Sequence, residues 1–193
     1  MSSINFFFGP KARKTPDLAE KPLSGTAIIF MSKHGTTQKV ALLIKELLMA
    51  EDVNLIDLGL QEKVDLTNCE RVVIGGSIHM GQIQKPVQNF CRQYAGVLTS
   101  KKLGLFLCCM YEGEKAAEQF NNAFPEEILA AAQCKALLGY ELNFDRMNII
   151  ERALTKKITG HTESMSHINQ QELNHFIEEL RNLIHSSTNQ PAV

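Results

Sequence analysis

Residues Gly25–Val40 read GTAIIFMSKHGTTQKV. The apolar run Ala27-Ile28-Ile29-Phe30-Met31 stops at Ser32-Lys33-His34-Gly35-Thr36-Thr37, and the pattern restarts at helical spacing. A buried strand that ends in a hydroxyl- and glycine-rich turn before a helix aims free backbone N–H groups, hydroxyls and the positive end of a helix dipole at one point. That point suits a phosphate.

Outward from this stretch, short apolar runs alternate with helix-period segments. Strands are predicted at Thr26–Met31, Val53–Leu58, Arg71–Gly76, Leu103–Met110 and Lys135–Tyr140. Helices are predicted over Thr36–Ala50, with Val40, Leu43, Ile44, Leu47 and Leu48 on one face, and from Pro86, with Val87, Phe90, Cys91 and Tyr94 inward. Two more run over Glu114–Ala123 and Gln170–Ile184, the last burying Leu173, Phe176, Ile177, Leu180 and Ile184. Alternating β and α gives an α/β fold with a five-stranded parallel sheet and helices on both faces. The runs at 71–76 and 103–110 lack polar alternation, as strands covered on both faces should. Such a sheet can be wound in a few ways, which right-handed crossovers prune; the doubly wound order 2-1-3-4-5 is expected, and it places a ligand at the carboxyl ends of strands one and three.

Composition narrows the class. At 193 residues and 44% hydrophobic, the chain suits one compact domain, expected over 25–185. Residues 1–24, with Pro10, Pro16 and Pro22, read as an N-terminal extension whose Phe6–Phe8 could dock on a surface groove, and 186–193 as a tail. With 20 Lys+Arg against 21 Asp+Glu and no long block of like charge, nucleic acid is excluded as a partner. The five cysteines are odd in number, lack a C-x-x-C pair and read as reduced core residues of a cytoplasmic protein. Vicinal Cys108 and Cys109 point to opposite sides of a strand, which favours separate burial over a redox pair. His161 and His167 lack zinc-ligand spacing. No apolar stretch approaches the roughly 18 residues of a membrane span, so membrane contact is at most peripheral.

The turn Ser32-Lys33-His34-Gly35-Thr36-Thr37 resembles the [S/T]-x-x-G-x-T phosphate loop of flavodoxins, with Ser32, Gly35 and Thr37 on the matching positions. The resemblance implies FMN as cofactor and a flavodoxin-like sheet. Glycine allows close backbone approach, and the hydroxyls donate. A ligand-free helix cap is the plain alternative. Asp57 lies where a dinucleotide-binding acid would sit, but the G-x-G-x-x-G glycines are missing, and no G-K-[ST] triplet supports a P-loop. A second motif, Gly75-Gly76-Ser77-Ile78-His79-Met80-Gly81, is expected as a loop after strand three whose Ser77–Gly81 portion walls a flavin ring. A third, Met110-Tyr111-Glu112-Gly113, would bring Tyr111 to the other ring face. A mobile glycine loop and a tyrosine packed on its neighbours are the corresponding alternatives.

A narrower resemblance lies in Arg71–Gly81 and in Asp145-Arg146 followed by an apolar-basic stretch to Gly160. It is to the menaquinone-dependent protoporphyrinogen dehydrogenases and their flavodoxin-domain relatives, and covers roughly 25–185. That group has an extra segment between strand five and the last helix, expected here as helical over 144–168. Phe144, Met147, Ile150, Ala153, Leu154 and Ile158 recur at helical spacing, with Arg146, Arg152, Lys156 and Lys157 around them. Such a helix could meet a membrane surface or a quinone pool, or pack plainly on the sheet edge. Where those dehydrogenases carry an arginine- and tyrosine-rich run, this chain has Glu141-Leu142-Asn143. Three readings follow: an FMN electron carrier served by a redox partner protein, an FMN-dependent oxidoreductase passing electrons to a quinone, and a ligand-free interaction module. The net charge of −1 suits the carrier poorly, because such carriers use strong acidity to dock.

Overall fold

β1 (Gly25–Phe30) lies inside the sheet with neighbours on both edges, which is why five of its six residues are buried. The structure, a computed structural model, describes residues 23–50, 52–61 and 63–185. Residues 1–22 with Phe6–Phe8, the tail 186–193 and the side chains of Ile158 and Ile184 lie outside the described residues.

β1 pairs in parallel with β2 (Val53–Asp57) on one side and β3 (Cys69–His79) on the other, Ile28 facing Leu55 and Val73. β3 then pairs with β5 (Lys102–Cys108), and β5 with β6 (Cys134–Leu137), all parallel. The parallel strands therefore run in the expected doubly wound order, with the two-residue β4 (Gln82–Ile83) added antiparallel to the end of β3. Side-chain alternation splits the core in two. Ile28, Phe30, Val73 and Phe106 pack under α1 (Thr36–Leu48) and α7 (Gln170–His185). Ile29, Val72, Ile74, Leu105 and Leu107 pack under α2 (Lys85–Gln93), α3 (Ala95–Leu98), α4 (Gly113–Ala123) and α5 (Glu126–Ala131). Each fully buried large aliphatic contributes about 1.5–3 kcal/mol over its exposed state.

The supposed loop at 75–81 is a correction. β3 runs on to His79, and only Met80 and Gly81 turn, at φ 51° and 82°, in the primed geometry of a tight hairpin. Gly75 and Gly76 read as punctuation but mark close approach instead: a Cβ at Gly75 would overlap the Phe106 ring, and one at Gly76 would press on Ile83.

The fifth predicted strand is divided. β6 stops at Leu137, and β7 (Gly139–Leu142) turns away to pair antiparallel with β8 (Met165–Ile168), Tyr140 opposite His167. Gly139, at φ 74°, makes the bend, where a Cβ would strike the His167 carbonyl. The segment 144–168 is likewise not one helix. A 3-10 turn at Phe144–Arg146 is followed by α6 (Ile149–Thr159) and then β8. Asn148 interrupts the expected period because it caps α6 reciprocally with Glu151, and Gly160 at φ 75° ends the helix.

Candidate functional site

The β1–α1 loop closes because the Gly35 N–H donates to Ser32 Oγ at 3.2 Å. Gly35 sits at φ 102°, and no side chain caps the first turn of α1. The N–H groups of Thr36, Thr37 and Gln38 therefore project from the helix end without intrahelical acceptors. Thr37 is 1% exposed, yet its Oγ1 has no hydrogen-bond partner among the described residues. The neighbouring Cys108 thiol is too weak a partner to satisfy a buried hydroxyl. Leaving such a group alone costs about 1–3 kcal/mol, a cost that an anionic oxygen at this position would remove. The residues present therefore fit a phosphate.

Ser32, Lys33, His34, Thr36 and Thr37 share one cleft, of about 320 Å³, with Ser77, Ile78, His79 and Met80 from β3 and with Met110 beyond β5. That volume is at the small end for ligand sites. Gln84 sets the spacing of the two strand ends: its amide donates to Met31 O at 3.2 Å and Ser77 Oγ at 2.7 Å, and its Oε1 accepts from Ser77 N at 2.8 Å. Ser77 Oγ is in turn 3.2 Å from His79 Nε2. The His34 and His79 rings meet edge to face with centroids 5.6 Å apart. Burial, then the nearby His34 and Lys33, holds the His79 imidazole below its ordinary pKa and favours its neutral form. Burial pushes the Cys108 thiol up to about 12 and raises Cys109, so neither is a nucleophile at neutral pH.

Tyr111, Glu112 and Gly113 lie elsewhere. They line a second cleft of about 520 Å³, bounded by α4, β6 and the β7–β8 hairpin, which joins the first at Cys109, Met110 and Tyr140. Lys115 Nζ stands 3.7 Å above the Tyr111 ring. The chain turns outward after Cys108, so Met110 borders both clefts while Tyr111 lines only the second. Gly81 sits at the hairpin tip with nothing within reach of a Cβ.

The sequence reading missed the wall supplied by residues 140–155. Thr36 Oγ1 donates to Glu141 O at 3.1 Å, and Lys39 pairs with the Glu141 carboxylate. Lys33 pairs with Glu151 at 2.5 Å, and His34 Nδ1 lies 3.3 Å from Arg146 O. The Lys33 hydrogen bond, then the Asn148 N–H, holds the Glu151 carboxyl below its usual range. One signal was available, since Asn148-Ile149-Ile150-Glu151 is a capping box that marks where α6 begins. Among the described residues no cluster of His, Cys, Asp or Glu could hold a metal, and no helix is long and apolar enough to cross a membrane.

Residues 27–169 match the model of the family described as flavodoxin domain. No curated protein matches the chain. Among solved structures, oxidised Flavodoxin 1 from Bacillus cereus is similar at 15% identity and a TM-score of 0.51, over 84% of this chain and 99% of that one. A WrbA-like flavodoxin from Agrobacterium tumefaciens is similar at 13% identity and 0.52, over 87% and 99%. Rubredoxin oxygen:oxidoreductase from Desulfovibrio gigas gives 14% identity and 0.55, with 89% of this chain covering only 39% of that longer one. At these identities the structures speak for the fold alone. The family match spans most of the sequence, and the chain belongs to the flavodoxin domain family.

Proposed function

We propose that this protein binds FMN and acts in electron transfer. Ser32–Thr37 hold the phosphate, while Ser77–Met80 and Met110 border the isoalloxazine ring. The observation that carries this reading is the buried, unpartnered Thr37 hydroxyl at the uncapped start of α1. Bound FMN supplies one- and two-electron chemistry, and the chain's part is to orient it and tune its surroundings. A neutral His79 beside the ring is the tuning group.

A second reading is favoured by the second cleft, which shares the Cys109–Met110 wall and gives a separate substrate room of its own. In that case the protein is an FMN-dependent oxidoreductase of the protoporphyrinogen dehydrogenase type, passing electrons to a quinone. α6 displays Ile149 and Ile150 beside Arg152, Lys156 and Lys157, a face suited to the apolar phase that holds quinones. The free, buried cysteines agree with a reducing, cytoplasmic setting.

Cofactor analysis of the purified protein tests the proposal. Yellow protein that releases FMN on acid treatment supports it. Colourless protein that takes up no added FMN overturns it and leaves an interaction module with this fold. Turnover of protoporphyrinogen with a menaquinone analogue selects the enzyme, and fast reduction by a flavodoxin reductase without such turnover selects the carrier.

A further inference from the structure

The cations around the β1–α1 loop are not equivalent. Lys33 is committed to Glu151 at 2.5 Å and Lys39 to Glu141 at 3.2 Å, and these pairs cancel. Arg146 is uncommitted: among the described residues its guanidinium meets no carboxylate, carbonyl or hydroxyl. It lies against Gly35, with Nη1 2.5 Å from where a Cβ on that residue would stand. The loop's surplus positive charge therefore sits against Gly35, the residue that precedes the uncapped turn of α1 and its unpartnered Thr37 hydroxyl. A planar fork of donors beside free N–H groups is the arrangement that grips a doubly charged oxygen group.

The placement is built into the fold. Arg146 closes the 3-10 turn with its own N–H donating to Asn143 O at 3.2 Å, while its carbonyl meets His34. Phe144 is buried and its N–H donates to Ser164 Oγ at 3.0 Å, which anchors the start of that turn. Beyond it, the Glu151 pair with Lys33 holds the first turn of α6 against the loop.

Resting on the FMN reading above, we propose that Arg146 is a binding residue for the cofactor phosphate: its guanidinium pairs with the dianion held by Ser32–Thr37 and selects phosphorylated flavin over riboflavin. Here the segment between β7 and β8 delivers a cation to the same oxygens.

The test titrates cofactor-free, full-length protein with FMN, with riboflavin and with inorganic phosphate, the last followed through the Gly35 and Thr37 amide resonances. Arg146→Gln should weaken FMN at least about tenfold while leaving riboflavin unchanged, and should flatten the salt dependence of FMN affinity. Arg146→Lys should recover part of the loss, keeping the charge without the fork. Lys45→Gln, which removes an exposed charge from the last turn of α1, should bind FMN as the parent does. Unchanged FMN affinity in Arg146→Gln, equal loss of FMN and riboflavin, or an equal loss in Lys45→Gln overturns the assignment and leaves the FMN reading standing. A parent that binds phosphate through Arg146 but no flavin keeps the assignment and removes the FMN reading. A parent that binds neither removes both.

Discussion

Lys33 and Glu151 are 118 residues apart in sequence and 2.5 Å apart in space, and their ion pair ties the β1–α1 loop to the first turn of α6. The Glu151 carboxyl is held below its ordinary range, chiefly by that Lys33 hydrogen bond. With the folded pKa lowered, the stabilisation is full above the unfolded value and is lost as pH falls through the folded one. Amide protection in residues 149–159, measured relative to the intrinsic rate at each pH, should therefore fall in acid below the ordinary glutamate range, while that of β1 and β3 holds. Glu151→Gln should show the lowered protection already at neutral pH. Equal protection of α6 in the parent at both pH values and in the variant would show that the pair holds nothing.

His79 provides a second pH signal. Its pKa is lowered from 6.5, first by burial and then by His34 and Lys33. Below 6.5 the unfolded chain takes up a proton that the folded site resists, so this group lowers stability as pH falls through that window. Histidine resonances followed against pH should give His79 a midpoint below the ordinary value, and His34→Ala should move it up. A midpoint that ignores His34 would contradict the edge-to-face arrangement as an electrostatic contact.

Thr37→Val separates binding from folding. The replacement keeps the shape and removes a buried hydroxyl that has no partner among the described residues. The flavin-free protein should gain about 1 kcal/mol in urea unfolding, while FMN affinity falls. A variant that loses stability and keeps its FMN affinity would mean that the hydroxyl serves the fold.

Gly75 tests the sheet behind the site. An added methyl would overlap the Phe106 ring, which is fully buried, so Gly75→Ala should cost about 1–3 kcal/mol, and pairing it with Phe106→Leu should return part of that. Additive losses in the double variant would show that the ring does not cause the cost.

How far these features were legible depended on how local they are. The β1–loop–α1 unit was readable because Ile28, Gly35, Thr37 and Val40 sit within a few residues of one another and each constrains the next. Buried runs such as Val72–Ile74 and Leu105–Leu107 marked interior parallel strands, and their order was expected from the resemblance of the β1–α1 loop rather than read from the runs themselves. The end of β3 was misread because what fills the space over Gly75 and Gly76 is Phe106 and Ile83, and nothing in the local sequence names those partners. Gly139 hid the division of the fifth strand in the same way. Glu141, Arg146 and Glu151 were invisible as site residues, since their contacts to Thr36, His34 and Lys33 join segments more than a hundred positions apart without a shared motif. Tyr111 was expected opposite Ser77–Gly81 and lines the adjoining cleft, because a sequence does not show which way a chain leaves its strand.

The Thr36 contact with Glu141 spans 105 positions, so the wall it closes is made by chain synthesised long after the loop it covers. On a ribosome, the amino-terminal half would emerge with its loop but without the residues that finish the enclosure, and pairing over such separations is slow. On the proposed reading, a flavin held by the β1–α1 loop is fully enclosed only after residues 140–155 have emerged, so the grip exists before the wall.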